Sequence, residues 1–118
     1  KKDTIAWRMF GKQDSVRMRF RHRLEVDPKY IEKLEASGLV FSGTAPGEPI
    51  MQILELPEHP YFIGTQAHPC MTSVPLAPQE MFVGLVAAGR QRAYPDENLP
   101  SALESIEALH KDKILYHK

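Results

Sequence analysis

A single cysteine, Cys70, occurs in the 118 residues. One thiol cannot close a disulfide within the chain, so the fold cannot rest on a bridge, and a reducing, cytoplasmic setting is expected. Net charge is lacking as well. The 15 basic and 15 acidic side chains balance, which argues against nucleic acid or an anionic membrane as a partner of the whole surface. No apolar run approaches the roughly 18 residues that span a bilayer. No Gly-rich loop is shaped to cradle phosphate and no metal-ligand spacing is present, so neither a cofactor nor a metal is expected. The opening Lys1-Lys2-Asp3 has no apolar segment behind it, so no signal peptide is read. A start on Lys rather than Met leads us to expect a further portion upstream.

What is present suits a globular chain of one domain or part of one: 42% apolar and 25% charged residues. The charge is uneven. Residues 1–25 carry eight bases and three acids, a net +5 against −5 for the remainder. From Ser15 the pattern has period two. Val16, Met18, Phe20, His22, Leu24 and Val26 point one way, and Arg17, Arg19, Arg21, Arg23 and Glu25 the other. That predicts a strand with one packed and one cationic face. The cationic face is either an anion site or plain solvated surface.

The other elements follow from caps, turns and periodicity. A short helix capped by Asp3 or Thr4 runs through Phe10. Asp27 caps a helix with Pro28 at its first position and Gly38 just past its end. Strands over Leu39–Ser42 and Ile50–Leu56 flank the Ala45-Pro46-Gly47-Glu48 turn as a hairpin. A third strand, Tyr61–Thr65, runs into Gln66-Ala67-His68-Pro69-Cys70. A helix over Gln79–Arg92 places Met81, Phe82, Leu85, Val86 and Gly89 on one face. Tyr94–Pro100 is a linker, and Ser101–Lys113 an amphipathic helix on Leu103, Ile106 and Leu109.

Three residues carry chemistry. His68 ends an apolar strand, where α/β sheets build sites, and an imidazole there suits a general base. Arg23 ends the cationic run, and a guanidinium fork suits a carboxylate. Cys70 could be a nucleophile activated by His68. The plain alternatives are a structural histidine and a small buried thiol.

Several segments then fall into register. Arg19-Phe20-Arg21-His22-Arg23-Leu24-Glu25-Val26, Leu34-Glu35 through Gly43, Ile53 through Phe62, Gln66-Ala67-His68-Pro69 and Pro78–Ala88 resemble, in order and nearly without gaps, the glutaminase domain of CTP synthase. That is a class I, triad-type glutamine amidotransferase domain. The resemblance runs from about Asp3 to Ala88. It implies an α/β, flavodoxin-like fold of which this chain supplies the C-terminal half, residues 1–94, with 95–118 as linker and added helix. It also implies glutamine hydrolysis: a cysteine attacks the carboxamide, a histidine takes its proton, a glutamate orients the histidine, and the ammonia aminates UTP at the expense of ATP. By that match His68 is the base and Arg23 holds the α-carboxylate of glutamine or a similar small carboxylate.

The departures are specific. The nucleophile elbow lies upstream in the family and is absent from this chain. Cys70 stands where the family has the triad glutamate, and a neutral thiol cannot stabilise an imidazolium as a carboxylate does. Phe20 and Met18 replace a histidine and a glutamate. Glutaminase activity is therefore expected to be impaired. The lone Cys in the motif also resembles a group of free-standing relatives of the CTP synthase C-terminal region, some of which carry selenocysteine. The alternative function is a non-catalytic or thiol-based relative that binds an amino acid or a partner protein through the same pocket. Covering Met81, Phe82 and Leu85 should need a missing N-terminal half, a synthetase partner or a second copy of the chain.

Overall fold

The computed structural model describes residues 1–116. Among them the order is α1 (Ile5–Met9), a 3-10 turn (Pro28–Tyr30), α2 (Ile31–Ala36), β1 (Val40–Thr44), β2 (Met51–Glu55), β3 (Ile63–Thr65), a second 3-10 turn (Pro69–Met71), α3 (Glu80–Ala93) and α4 (Ala102–Tyr116). Four helical starts are capped by side chains that relieve the orphan amides of a first turn. Thr4 accepts from the Trp7 amide at 3.2 Å, Asp27 from Lys29 at 3.1 Å and Gln79 from Met81 at 2.7 Å. At α4, Ser101 Oγ accepts from the Glu104 amide while Glu104 accepts from the Ser101 amide, at 3.2 and 2.7 Å. This reciprocal box, its Ser101 amide above all, holds the Glu104 carboxyl below the usual range. Gly38 takes φ +96° just past α2, a left-handed end that a Cβ would oppose.

β2 pairs antiparallel with β1 on one side and β3 on the other, giving the order β1-β2-β3. The expected hairpin is thus present. The third strand is shorter than expected, because Tyr61 donates its amide to His59 Nδ1 at 3.1 Å rather than to a ladder. Its hydroxyl reaches across to the Met81 carbonyl of α3 at 2.8 Å.

The buried centre is Met9, Met81 and Ile106, with Ile5, Phe10, Met18, Ile63 and Val83 packed against it. It therefore joins α1, α3, α4 and the sheet. Ile106 is fully buried, and Leu103 and Leu109 half-buried, so the amphipathic face read for α4 does face the body. Polar contacts lock the same joint. Arg8 pairs with Glu107 at 3.1 Å, and His110 Nε2 donates to the Met9 carbonyl at 2.7 Å.

Two expectations are corrected. Residues 15–26 do not form a strand. Their only ladder contact among the described residues is a single antiparallel bridge, Phe20 to Ala67. Alternation makes a strand only where a neighbour supplies a row of amides and carbonyls, and β3 is three residues long. Val16, Phe20 and Leu24 of the supposed packed face are exposed. The second correction concerns α3. It buries Met81, Gly84 and Ala87, and exposes Phe82, Leu85 and Val86. The Tyr61 ring lies so close over Gly84 that a Cβ there would come within 2.5 Å of it. Small residues must face inward, and Met81 is covered by the chain itself.

Candidate functional site

The exit of β3 is shaped residue by residue. The Gln66 amide extends the ladder to the Gln52 carbonyl at 2.9 Å. The Ala67 amide donates to Thr65 Oγ1 at 3.0 Å, and the His68 amide to the Arg19 carbonyl at 2.9 Å. Pro69 bars its predecessor from the helical basin, and His68 sits at φ −111°, ψ 86°, leading into the 3-10 turn. Its imidazole is half-buried and makes no hydrogen bond among the described residues.

The segment bearing Arg23 runs alongside this exit. The Phe20–Ala67 bridge joins the two at one point. Gln66 Nε2 joins them at another, donating to the Leu24 carbonyl at 3.3 Å. That carbonyl also accepts from His22 Nδ1 at 3.1 Å, and the Phe20 ring stands edge-on to the His22 ring. The backbones bearing Arg23 and His68 are therefore brought together. Arg23 itself is exposed and enters no ion pair among the described residues. An unpaired guanidinium keeps its fork of donors available for a carboxylate.

Cys70 lies in the 3-10 turn two residues beyond His68 and is exposed. No hydrogen bond joins the two side chains, and no carboxylate orients the His68 ring among the described residues. A cavity of about 320 Å³ opens on the sheet beside the junction, lined by Val26, Phe41, Ile53, Thr65 and Gln66 among others. None of Arg23, His68 and Cys70 lines it, so this cavity and the chemistry-bearing residues are neighbours and not one site. What the junction presents is an imidazole and a guanidinium on adjacent backbones, group types that suit proton transfer and carboxylate binding. Sequence reasoning placed Gln66 in the motif that leads to His68 but missed its bond to the Leu24 carbonyl.

Residues 2–88 match the family model described as glutamine amidotransferase class-I. The CTP synthase of Thermococcus gammatolerans is 55% identical over 95 residues, covering 80% of this chain and 18% of that protein. The CTP synthase of Neurospora crassa is 46% identical over 80 residues, covering 68% of this chain and 14% of that protein. The chain thus spans under a fifth of the length of these curated relatives. In three dimensions it is similar to the glutaminase domain of Trypanosoma brucei CTPS, solved with bound acivicin. The TM-score is 0.70 at 29% identity, over 77% of this chain and 36% of that one. The α/β fold implied by the resemblance is the fold found, the match covering 36% of that glutaminase domain chain. Arg-rich segment, strand exit and overall fold agree, and the chain belongs to the class I glutamine amidotransferase family, its likeness there being to the glutaminase domain of CTP synthase.

Proposed function

We propose that this chain forms the glutamine-holding, proton-accepting part of a class I amidotransferase site. Arg23 holds the α-carboxylate of glutamine or a similar small carboxylate, and His68 takes the proton of an attacking cysteine. That cysteine comes from an N-terminal half of the domain or from a synthetase partner. The ammonia released goes to amination of UTP, in the cytoplasm, as in pyrimidine nucleotide biosynthesis. The observation that carries this reading is the pairing of residues 19–24 with 66–68, which sets a guanidinium and an imidazole on adjacent backbones. The acivicin-bound relative supports it, since acivicin is a glutamine analogue. Because Cys70 holds the place of the orienting acid, hydrolysis is slow: loss of that acid costs such triads orders of magnitude in rate.

The test is calorimetric titration with glutamine. Arg23→Ala should weaken binding by about 2 kcal/mol, or roughly 30-fold, the scale of a lost charged hydrogen-bonding partner. Equal affinity in the variant overturns the assignment.

A second reading has its own support in the exposure of Cys70, two residues beyond a His68 ring that meets no carboxylate among the described residues. In it, the pocket binds an amino acid or a partner protein, and Cys70 with His68 acts as a thiol centre.

A further inference from the structure

We propose that Gln66 is the positioning residue for Arg23, acting through the Leu24 carbonyl. The inference rests on the reading of Arg23 as the carboxylate holder and adds what keeps it in place. Residues 15–26 have no strand to hold them. Their backbone is tied to the sheet at Arg19, whose carbonyl accepts from the His68 amide. Arg23 lies four residues beyond that tie. Burial anchors little of this stretch: Leu24 is 85% exposed, Arg21 and Arg23 are exposed too, and His22 is half-buried.

What fastens it is the Leu24 carbonyl, which takes the Gln66 Nε2 hydrogen at 3.3 Å. Gln66 can serve because its own backbone is fixed by its amide bond to Gln52 at 2.9 Å. His22 Nδ1 donates to the same carbonyl and closes a loop around Arg23. That bond is local and does not reach the sheet. The next side chain turned to the sheet is Val26, which lines the 320 Å³ cavity with Thr65 and Gln66. Arg23 is thus bracketed by two ties, at Arg19 and Leu24, both running to the strand exit that ends in His68. Gln66 sets the register between guanidinium and imidazole.

Gln66→Met keeps the length of the side chain and removes its donor. Three measurements on the full chain test the proposal: backbone heteronuclear NOE at residues 22–24, melting temperature, and glutamine affinity in single and double variants. Gln66→Met should lower the NOE at Arg23 and Leu24 while leaving the rest of the chain and the melting temperature nearly unchanged. It should weaken glutamine binding by about threefold to tenfold, the span of one hydrogen bond, and add little in an Arg23→Ala background. Unchanged NOE at 22–24 overturns the proposal whatever the binding result. So does a loss of affinity that is fully additive with Arg23→Ala. A lowered NOE in a chain whose wild type binds no glutamine keeps the tether and overturns the carboxylate reading instead.

Discussion

Glu55 and Ala6 lie 49 residues apart and are joined by a buried hydrogen bond: the Ala6 amide donates to Glu55 Oε2 at 3.0 Å. The other carboxylate oxygen accepts from the Ile5 amide at 2.8 Å. A strand residue in β2 thus caps a helix distant in sequence, and its side chain is among the most buried in the protein. Glu55→Ala should cost about 3 kcal/mol, since it leaves a buried and a half-buried amide without an acceptor. Glu55→Gln, which keeps one acceptor oxygen, should cost less. Urea unfolding followed by circular dichroism reads both, and equal stability of all three proteins would contradict the role.

The contact of Tyr61 with Gly84 leaves no room for a methyl group. Gly84→Ala should destabilise by about 1–3 kcal/mol, the scale of overpacking. The same substitution in a Tyr61→Ala background should cost far less, because the ring that it meets is gone. Additive costs would show that the two do not touch.

Burial pushes the Tyr61 hydroxyl up to about 12. Below its ordinary value near 10, folded and unfolded chains both keep the proton. Between those values the unfolded chain releases it and the folded chain does not, so stability falls as pH rises through this window. The advantage of wild type over Tyr61→Phe at about pH 9 should therefore shrink by about pH 11.5. Parallel stability curves for the two proteins would show that the hydroxyl is not held neutral.

Ile106 is fully buried between Met9 and Met81. Ile106→Ala should cost about 3 kcal/mol through lost transfer energy and the cavity left behind. Truncation after Tyr94 should lower the melting temperature further. A truncated chain that melts with the full one would make α4 an ornament.

In the thiol reading, Cys70 should alkylate with iodoacetamide at about pH 6–7 faster than a small free thiol, and His68→Ala should slow it. A rate equal to that of the free thiol and indifferent to His68 removes the coupled pair.

How much of this was legible in the residues varies by element for physical reasons. Caps such as Thr4 and Asp27 act within one turn, so local pattern finds them, whereas Gln79 and Ser101 read as first helical residues and turn out to be the caps. The hairpin is announced by its turn residues. The run Val16–Val26 reads as a strand because alternation is visible in sequence, whereas the ladder that a strand needs is not. On α3 the apolar stripe Phe82, Leu85, Val86 misled for a related reason. The inward face was decided by Tyr61, far away in the chain, and by the small residue that its ring requires. At the candidate site His68 and Arg23 came from motif resemblance. Gln66 stands in the same motif, but its tie to Leu24 was not legible, since that bond is to a backbone carbonyl and carries no side-chain signature on the partner. Glu55 was hidden for the same reason, its partners being two amides.

The clasp between α4 and α1 has a consequence for how the protein is made. His110 and Met9 are 101 positions apart, and Ile106 completes the centre that Met9 and Met81 begin. A ribosome delivers Met9 long before Ile106, which covers it. During that interval Met9 and Met81 lack the side chain that completes their cluster, and uncovered apolar surface of that kind recruits chaperones and invites association. Loop closure over such a span is slow compared with helix or hairpin formation. Closure of the clasp thus waits on α4, and a chain cut ahead of it lacks the side chain that completes the Met9–Met81 cluster.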